Sequence, residues 1–275
     1  MLNTVTLSCL AGLIAIFGAP ARAQSVPSVT LRAMTYNIQY GGGSIETTSA
    51  AIRAADPDLV ALQEVDVRWG ARSAFVDQAS VLAERLGMQV RFAPIYQLPG
   101  ADASSPPREF GVALLSKYPI TSFANRPLTR HSTQAESAPP SPAPGLLDAT
   151  VEVRGTPIRV LNTHLDYRPD PAVRHQQVQE VLAAIGASTS PIILFGDFNA
   201  APTAPELQPL LARLRDSWPA SAGPGWTYPA LEPTERIDYV LVSPQFRVVA
   251  ARVPDTKASD HRPVVVDLIL ASPRR

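Results

Sequence analysis

The sequence predicts a four-layer α/β sandwich, in which two mixed β-sheets pack face to face and helices cover their outer sides. Three observations lead there. Short apolar runs, too brief for helices, end abruptly in acids or amides, as buried strands do when they deliver polar groups to one edge of a sheet. The layout is duplicated: a strand-helix-strand unit from Met34 to Glu64 ends in a carboxylate, and another from Val160 to Asn199 does the same. With 275 residues and 45% hydrophobic content the chain can bury a large core. No second composition regime appears, so residues 24–275 are expected to form one domain.

The first 23 residues stand apart. Leu7 to Ala19 is almost wholly apolar, and Ala21-Arg22-Ala23 fits a small-x-small cleavage site before Gln24. This reads as a signal peptide and predicts an exported chain, periplasmic or secreted after cleavage near Ala23. Met1 to Thr6 carries no Lys or Arg, so a retained anchor is the alternative, although the run is short for the ~20 residues a spanning helix needs. The one cysteine, Cys9, lies in this segment, so the mature chain would hold no disulfide and no thiolate metal site. With 24 basic and 24 acidic residues overall, nothing draws the chain as a whole to nucleic acid or to an anionic membrane.

In order, Val29 to Tyr40 reads as a strand running into Gly41-Gly42-Gly43, with Asn37 just before the turn. Ser44 caps a helix over Ile45 to Ala55, which Asp56-Pro57 stops. Leu59 to Leu62 is a buried strand ending in Gln63-Glu64-Val65-Asp66. Ala74 to Leu86 has helical spacing with Gly87 as its stop. Met88 to Ala93 and Phe110 to Ser116 are strands, the second preceded by Arg108-Glu109. Asn125 to Gly145, with Pro139, Pro140, Pro142 and Pro144, is expected to be a surface excursion too proline-rich for a central strand. Leu146 to Arg154 and Ile158 to Asp166 form a hairpin, and Pro171 to Ile185 a helix. Pro191 to Gly196 is a buried strand that carries Asp197 and Asn199 at its tip; the local sequence leaves open whether they form a site or a turn. A short helix over Pro205 to Leu214 and strands over Arg236 to Ser243, Phe246 to Arg252 and Pro263 to Leu270 complete the chain.

The polar residues at these strand ends are Asn37, Glu64, His164, Asp166, Asp197, Asn199, Asp238, Asp260 and His261. Two histidines, several acids and two amides supply what phosphoester hydrolysis needs: a base for water, a sink for charge on the phosphoryl oxygens and help for the leaving oxygen. Arg68, Arg72 and Arg108 lie in loops near this edge, where they serve either as solvated charges or as phosphate contacts.

The series TYNIQYG, LQEVD, FGVALLSKYPI, NTHLDY, GDFNA, RIDYVLVS and SDHRPV, in this order over nearly all of residues 33–270, resembles the endonuclease/exonuclease/phosphatase superfamily of DNase I-like, metal-dependent phosphoesterases. The resemblance implies Glu64 as principal ligand of a Mg²⁺ ion, with Asn37 beside it and Asp260 nearby; Mn²⁺ or Ca²⁺ would suit the same oxygen donors. It implies Asp197 as general base with Asn199 as its partner. His261, paired with Asp238, and His164 on the opposite side would meet the phosphate. Glu109 is the acid that matches His164 in DNase I-like members, and Asp166, Arg72 and Arg108 are further substrate-side candidates.

Two departures fall on substrate recognition. Phe110-Gly111-Val112 stands where the family often has aromatic-Gly-Asn, and the Pro139 to Pro144 insertion replaces a shorter, commonly arginine-bearing segment. The expected activity is therefore hydrolysis of a phosphodiester, in nucleic acid or a phospholipid headgroup, by a monomer with no stable protein partner. A phosphomonoesterase on a small soluble substrate and a non-catalytic binding module are the alternatives. A lipid substrate would want an exposed apolar hairpin. The only candidate is the segment of Trp218, Trp226 and Tyr228, whose aromatics are expected to be buried.

Overall fold

In chain order the strands are β1 (Val29–Asn37), β2 (Leu59–Val67), β3 (Gln89–Leu98), β4 (Arg108–Ser116), β5 (Ile120–Arg130), β6 (Ser141–Val153), β7 (Thr156–His164), β8 (Ile192–Asp197), β9 (Arg215–Asp216), β10 (Asp238–Val242), β11 (Phe246–Arg252) and β12 (Val264–Leu270). The helices are α1 (Ile45–Ala55), α2 (Gln78–Leu86), α3 (Ala172–Ile185) and α4 (Gln208–Arg213). This computed structural model describes residues 1, 29–100, 102–135 and 137–270. Apart from Met1, the expected leader lies outside the described residues.

The two sheets have six strands each, ordered β11-β12-β1-β2-β4-β3 and β5-β6-β7-β8-β10-β9. Each contains one parallel pair, β1 with β2 across α1 and β7 with β8 across α3, and is otherwise antiparallel. The predicted duplication is thus two crossovers, one per sheet, each delivering its acid to the end of its second strand.

Local chemistry sets the helix bounds. Ser44 Oγ accepts from the Thr47 N–H at 3.1 Å, and Asp56 closes α1 in the left-handed region at φ 47°. The second helix starts later than its apolar spacing suggests. Ala74 and Phe75 have left-handed φ of 51° and 56°, and Asp77 supplies the cap by accepting from the Ser80 N–H.

The proline-rich excursion is a correction. β5 was not expected, and β6 starts at Ser141 inside the supposed loop. Its last pairing with β7 is Leu146 to Thr163, so residues 141–145 have only β5 beside them. A proline nitrogen there breaks no bond on the free side, and the arm tolerates Pro142 and Pro144 as an edge strand does.

Period-two alternation divides the apolar residues into three interlayer cores. Leu31, Ala33 and Ala61 from one sheet meet Val160, Ile193 and Phe195 from the other. Met34, Val60 and Leu62 face outward onto Ile52 and Leu82 of the helices. On the far side Leu161 and Leu194 pack on Val178, Val181 and Leu210.

One polar tie crosses the central core. Asn162 on β7 donates through Nδ2 to the carbonyls of Leu62 and Ala113, 2.9 Å each, and accepts from Gln63 Nε2 at 2.7 Å. Asn162 and Gln63 are wholly buried, so every one of these bonds lacks a water substitute. Asn162→Ala removes three buried hydrogen bonds at once, and urea unfolding is expected to register a loss of roughly 2–4 kcal/mol; a loss within ordinary surface scatter would show that the tie does not hold the sheets together.

Candidate active site

Five strand ends converge at one edge of the sandwich. Asn37 ends β1, Glu64 sits near the end of β2, His164 ends β7, Asp197 ends β8 and Asp238 begins β10, while Asp260 and His261 lie just before β12. A cavity of about 360 Å³ opens there, lined by Glu64, His164, Asp197, Asn199, Asp260 and His261 together with Tyr228. Asn37 and Asp238 are buried behind its lining.

Asp197 is the centre. It is 1% exposed; Oδ1 accepts from the Asn199 N–H at 2.9 Å, and Oδ2 accepts from Asn37 Nδ2 at 3.0 Å. Both histidine Nε2 atoms approach the same Oδ2, His164 at 3.5 Å and His261 at 3.7 Å. Those separations exceed a good hydrogen bond, so the two ring N–H groups remain available to a third party in the cavity. Asn199, left-handed at φ 49°, donates from Nδ2 to the Leu165 carbonyl at 3.0 Å and so locks the turn that orients Asp197. The local alternatives for Asp197 and Asn199 merge: the turn is what holds the site.

His261 Nδ1 lies 2.9 Å from Asp238 Oδ2. Burial opposes a charge on this ring, but the Asp238 carboxylate, with Asp197 behind it, outweighs burial and raises the His261 pKa to about 10. Burial pushes the Asp238 carboxyl up, and the imidazolium pulls it back. Asp197, Asp238 and His261 also offer atoms within 4.8 Å of one another, as a metal site does. Nδ1 is already engaged by Asp238, and Nε2 faces the Asp197 carboxylate at 3.7 Å with its N–H still available to the cavity.

Glu64 reaches the cavity through a break in its strand. The β2–β4 register shifts between Leu62 and Val65, and Glu64 takes φ 53°, a strained value for a residue with a side chain. Its Oε1 accepts from Asn37 Nδ2 at 3.1 Å, so one amide bridges carboxylates from both sheets. Asn37 Oδ1 meanwhile accepts from the Gln39 N–H, which makes Asn37 a bridge between acids, while Glu64 and Asp260 line the cavity together with Asp197 and Glu235. Among the described residues Glu64 and Asp260 have only neutral partners, Asn37 and the Ser259 hydroxyl respectively. Glu64 and Asp260, on a cavity whose lining holds no lysine or arginine, offer oxygen donors that fit a divalent ion.

The remaining candidates are placed elsewhere. Arg72 is bidentate to Asp66, at 2.9 and 2.7 Å, and stacks on Tyr40. Arg108 donates to the Pro99 carbonyl. Glu109 accepts from Gln97 and Arg68, not from His164, because alternation along β4 sends Phe110 inward and Glu109 away. Asp166 is held by Arg168 at 2.7 Å beside the neighbouring cavity. Tyr228, whose ring lies 4.7 Å from that of His261, was foreseen only as part of an aromatic segment. In that segment Trp226 is 47% exposed, contrary to the expected burial, while the Trp218 indole donates to the Gly223 carbonyl.

The sequence pattern described as the Endonuclease/Exonuclease/phosphatase family matches residues 34–261. No curated protein matches the chain significantly. Among solved structures, an endonuclease/exonuclease/phosphatase from Beutenbergia cavernae shares 29% identity, covering 89% of this chain and 72% of that one at a TM-score of 0.68. The human Nocturnin catalytic domain with bound sulfate (22% identity; 87% and 93% covered; TM-score 0.64) and a mannosyl-6-phosphatase from Bacteroides thetaiotaomicron (18%; 86% and 99%; 0.62) share the fold.

If Asp238 holds the charge on His261, Asp238→Asn should drop the ring pKa from about 10 toward the ordinary ~6.5, followed by NMR titration of the imidazole. An unchanged titration would assign the charge to another cause.

Proposed function

Because the chain belongs to the endonuclease/exonuclease/phosphatase family, whose members hydrolyse phosphoesters and generally depend on a divalent metal, we propose that it is an exported phosphodiesterase that directs water in line at phosphorus. The observation that carries this reading is the convergence of two histidine Nε2 atoms on one oxygen of the buried Asp197.

Asp197 takes the proton of the attacking water. Its two other contacts, the Asn199 N–H and the Asn37 amide, fix the carboxylate so that little reorganisation is needed when the proton arrives. His261, charged through Asp238, donates from Nε2 to a phosphoryl oxygen, and His164 donates from the other side. Tyr228 packs against His261 and helps to fix the plane of its ring. Glu64 and Asp260 would hold the divalent ion, Mg²⁺ or with similar chemistry Mn²⁺ or Ca²⁺. Such an ion, when bound, offsets the charge that develops on the phosphoryl oxygens.

The substrate class in this reading is a diester of nucleic acid or of a phospholipid headgroup. Hydrolysis of a small phosphomonoester is the second reading, favoured by the likeness to a mannosyl-6-phosphatase. Export rests on the sequence of residues 1–23, and isolation of a chain beginning at Gln24 from outside the cytoplasm would support it.

The test uses residues 24–275 with bis(p-nitrophenyl) phosphate, p-nitrophenyl phosphate, plasmid DNA and sphingomyelin, in Mg²⁺ and then in EDTA. We expect metal-dependent cleavage, lost on chelation. Glu64→Gln, Asp197→Asn and His261→Ala should each lower kcat on the order of 10²–10⁴-fold at an unchanged circular-dichroism spectrum. Full activity in Glu64→Gln and Asp197→Asn, or in EDTA, would refute the mechanism.

A further inference from the structure

A second cavity, of about 180 Å³, opens beside the catalytic one and shares Glu64, His164 and Tyr167 with it. Tyr96 and Phe110 form one wall, their rings stacked at 6.2 Å, and Leu165 and Arg168 stand in the lining with them. The arm between β5 and β6 is fastened over it, since the Thr133 N–H donates to Tyr96 Oη at 3.0 Å.

Arg130, at the end of β5, forms part of this cavity's lining and is only 8% exposed. Nη1 donates to the His164 carbonyl at 2.7 Å, and Nη2 lies 3.2 Å from the Gly145 carbonyl and 3.5 Å from Thr163 Oγ1. Nε has no partner. All three acceptors are neutral, and among the described residues no carboxylate pairs with this guanidinium. The other arginines nearby are neutralised: Arg72 by Asp66, Arg168 by Asp166 and Arg68 by Asp77 and Glu109. Burial lowers the Arg130 pKa to about 10, so the cation persists at neutral pH.

The fold makes room for it. Gly145 has φ 132°, and a Cβ there would lie 2.8 Å from Arg130 Nη2 and 2.6 Å from Ile95 Cγ1. Of the two acids on the cavity, Asp166 is occupied by Arg168 and its backbone N–H, and Glu64 stands at the catalytic boundary on Asn37. Asp166 and Glu180 favour the charge only from a distance, and a buried cation without a direct ion pair is costly unless something supplies the anion.

We propose that this cavity receives the non-reacting part of the substrate and that Arg130 pairs there with a second anionic group. The natural substrate is then a phosphoester whose alcohol carries a further phosphate or carboxylate. The proposal rests on the catalytic pocket holding the scissile phosphate, and it accounts for a buried cation beside the cleft that, among the described residues, has no ion-pair partner.

The experiment compares two inhibitors of bis(p-nitrophenyl) phosphate hydrolysis, adenosine 3′,5′-bisphosphate and adenosine 5′-phosphate, in the wild type, Arg130→Met, Arg130→Lys and Gly145→Ala. The wild type should bind the bisphosphate at least about tenfold more tightly, as a charge-assisted contact gives. Arg130→Met should bring the ratio of the two constants near unity, Arg130→Lys should retain part of it, and Gly145→Ala, which crowds the guanidinium, should reduce it. A purely structural role moves both constants together, so an unchanged ratio in Arg130→Met, or no preference in the wild type, overturns the proposal. Should Arg130→Met fail to fold, the ratios in the Lys and Gly145→Ala variants decide the matter in the same way. If the wild type leaves bis(p-nitrophenyl) phosphate intact, the diesterase reading fails by itself, and calorimetric titration of the same two nucleotides reads the ratio directly, with equal affinities again overturning the proposal.

Discussion

The structure depends on one amide placed between two acids. Asn37 Nδ2 donates to Glu64 at 3.1 Å and to Asp197 at 3.0 Å, and these carboxylates belong to different sheets. Asp197 is 1% exposed and relies on protein donors, and a neutral donor lets it stay close to Glu64 where a Lys or Arg would form an ion pair and fill the cavity. For the amide to reach both acids, the two sheets must keep a fixed offset. The Gln63–Asn162 bond, one residue from Glu64 and two from His164, supplies that offset inside the core. Ser259 completes the arrangement, its hydroxyl donating to the Asn37 carbonyl and bringing Asp260 and His261 to the same edge.

The topology explains why the chemistry collects on this edge. A parallel pair requires a crossover, and in each sheet the crossover helix returns the chain so that both strands end on the same side. The antiparallel strand β10 then begins where β8 ends, and their register sets Asp238 opposite Asp197. His261 needs only the short loop before β12 to lie between them. Two site residues carry backbone strain: Glu64 and Asn199 hold left-handed φ values that the surrounding hydrogen bonds maintain.

Much of this was legible in the sequence because it is carried by local patterns. Ser44, Asp56 and Gly87 punctuate the helices, and runs such as Ile192 to Phe195 can only be buried strands. The grouping of Glu64, Asp197, Asp238, Asp260 and His261 followed from acids and amides at strand ends. What was not legible depends on who stands next to whom. The prolines of the β5–β6 arm argued against a strand because the missing neighbour on their free side cannot be seen in one dimension. Glu109 and Arg72 have suitable chemistry and adjacent positions, yet alternation and a nearby Asp66 take them out of the cavity. Arg130 gave no signal at all: a single arginine closing a strand becomes notable only when it is seen to be buried on neutral acceptors, with no carboxylate paired to it.

The most direct test of the central claim is a double-mutant cycle on kcat for bis(p-nitrophenyl) phosphate, combining Asn37→Ala with Asp197→Asn. If the amide works by holding the two acids as one unit, the double variant should lose little more than the worse single variant, a strongly non-additive result. Losses that simply multiply would mean that Asn37 and Asp197 act independently, and the cross-sheet bridge would then not be what makes the site.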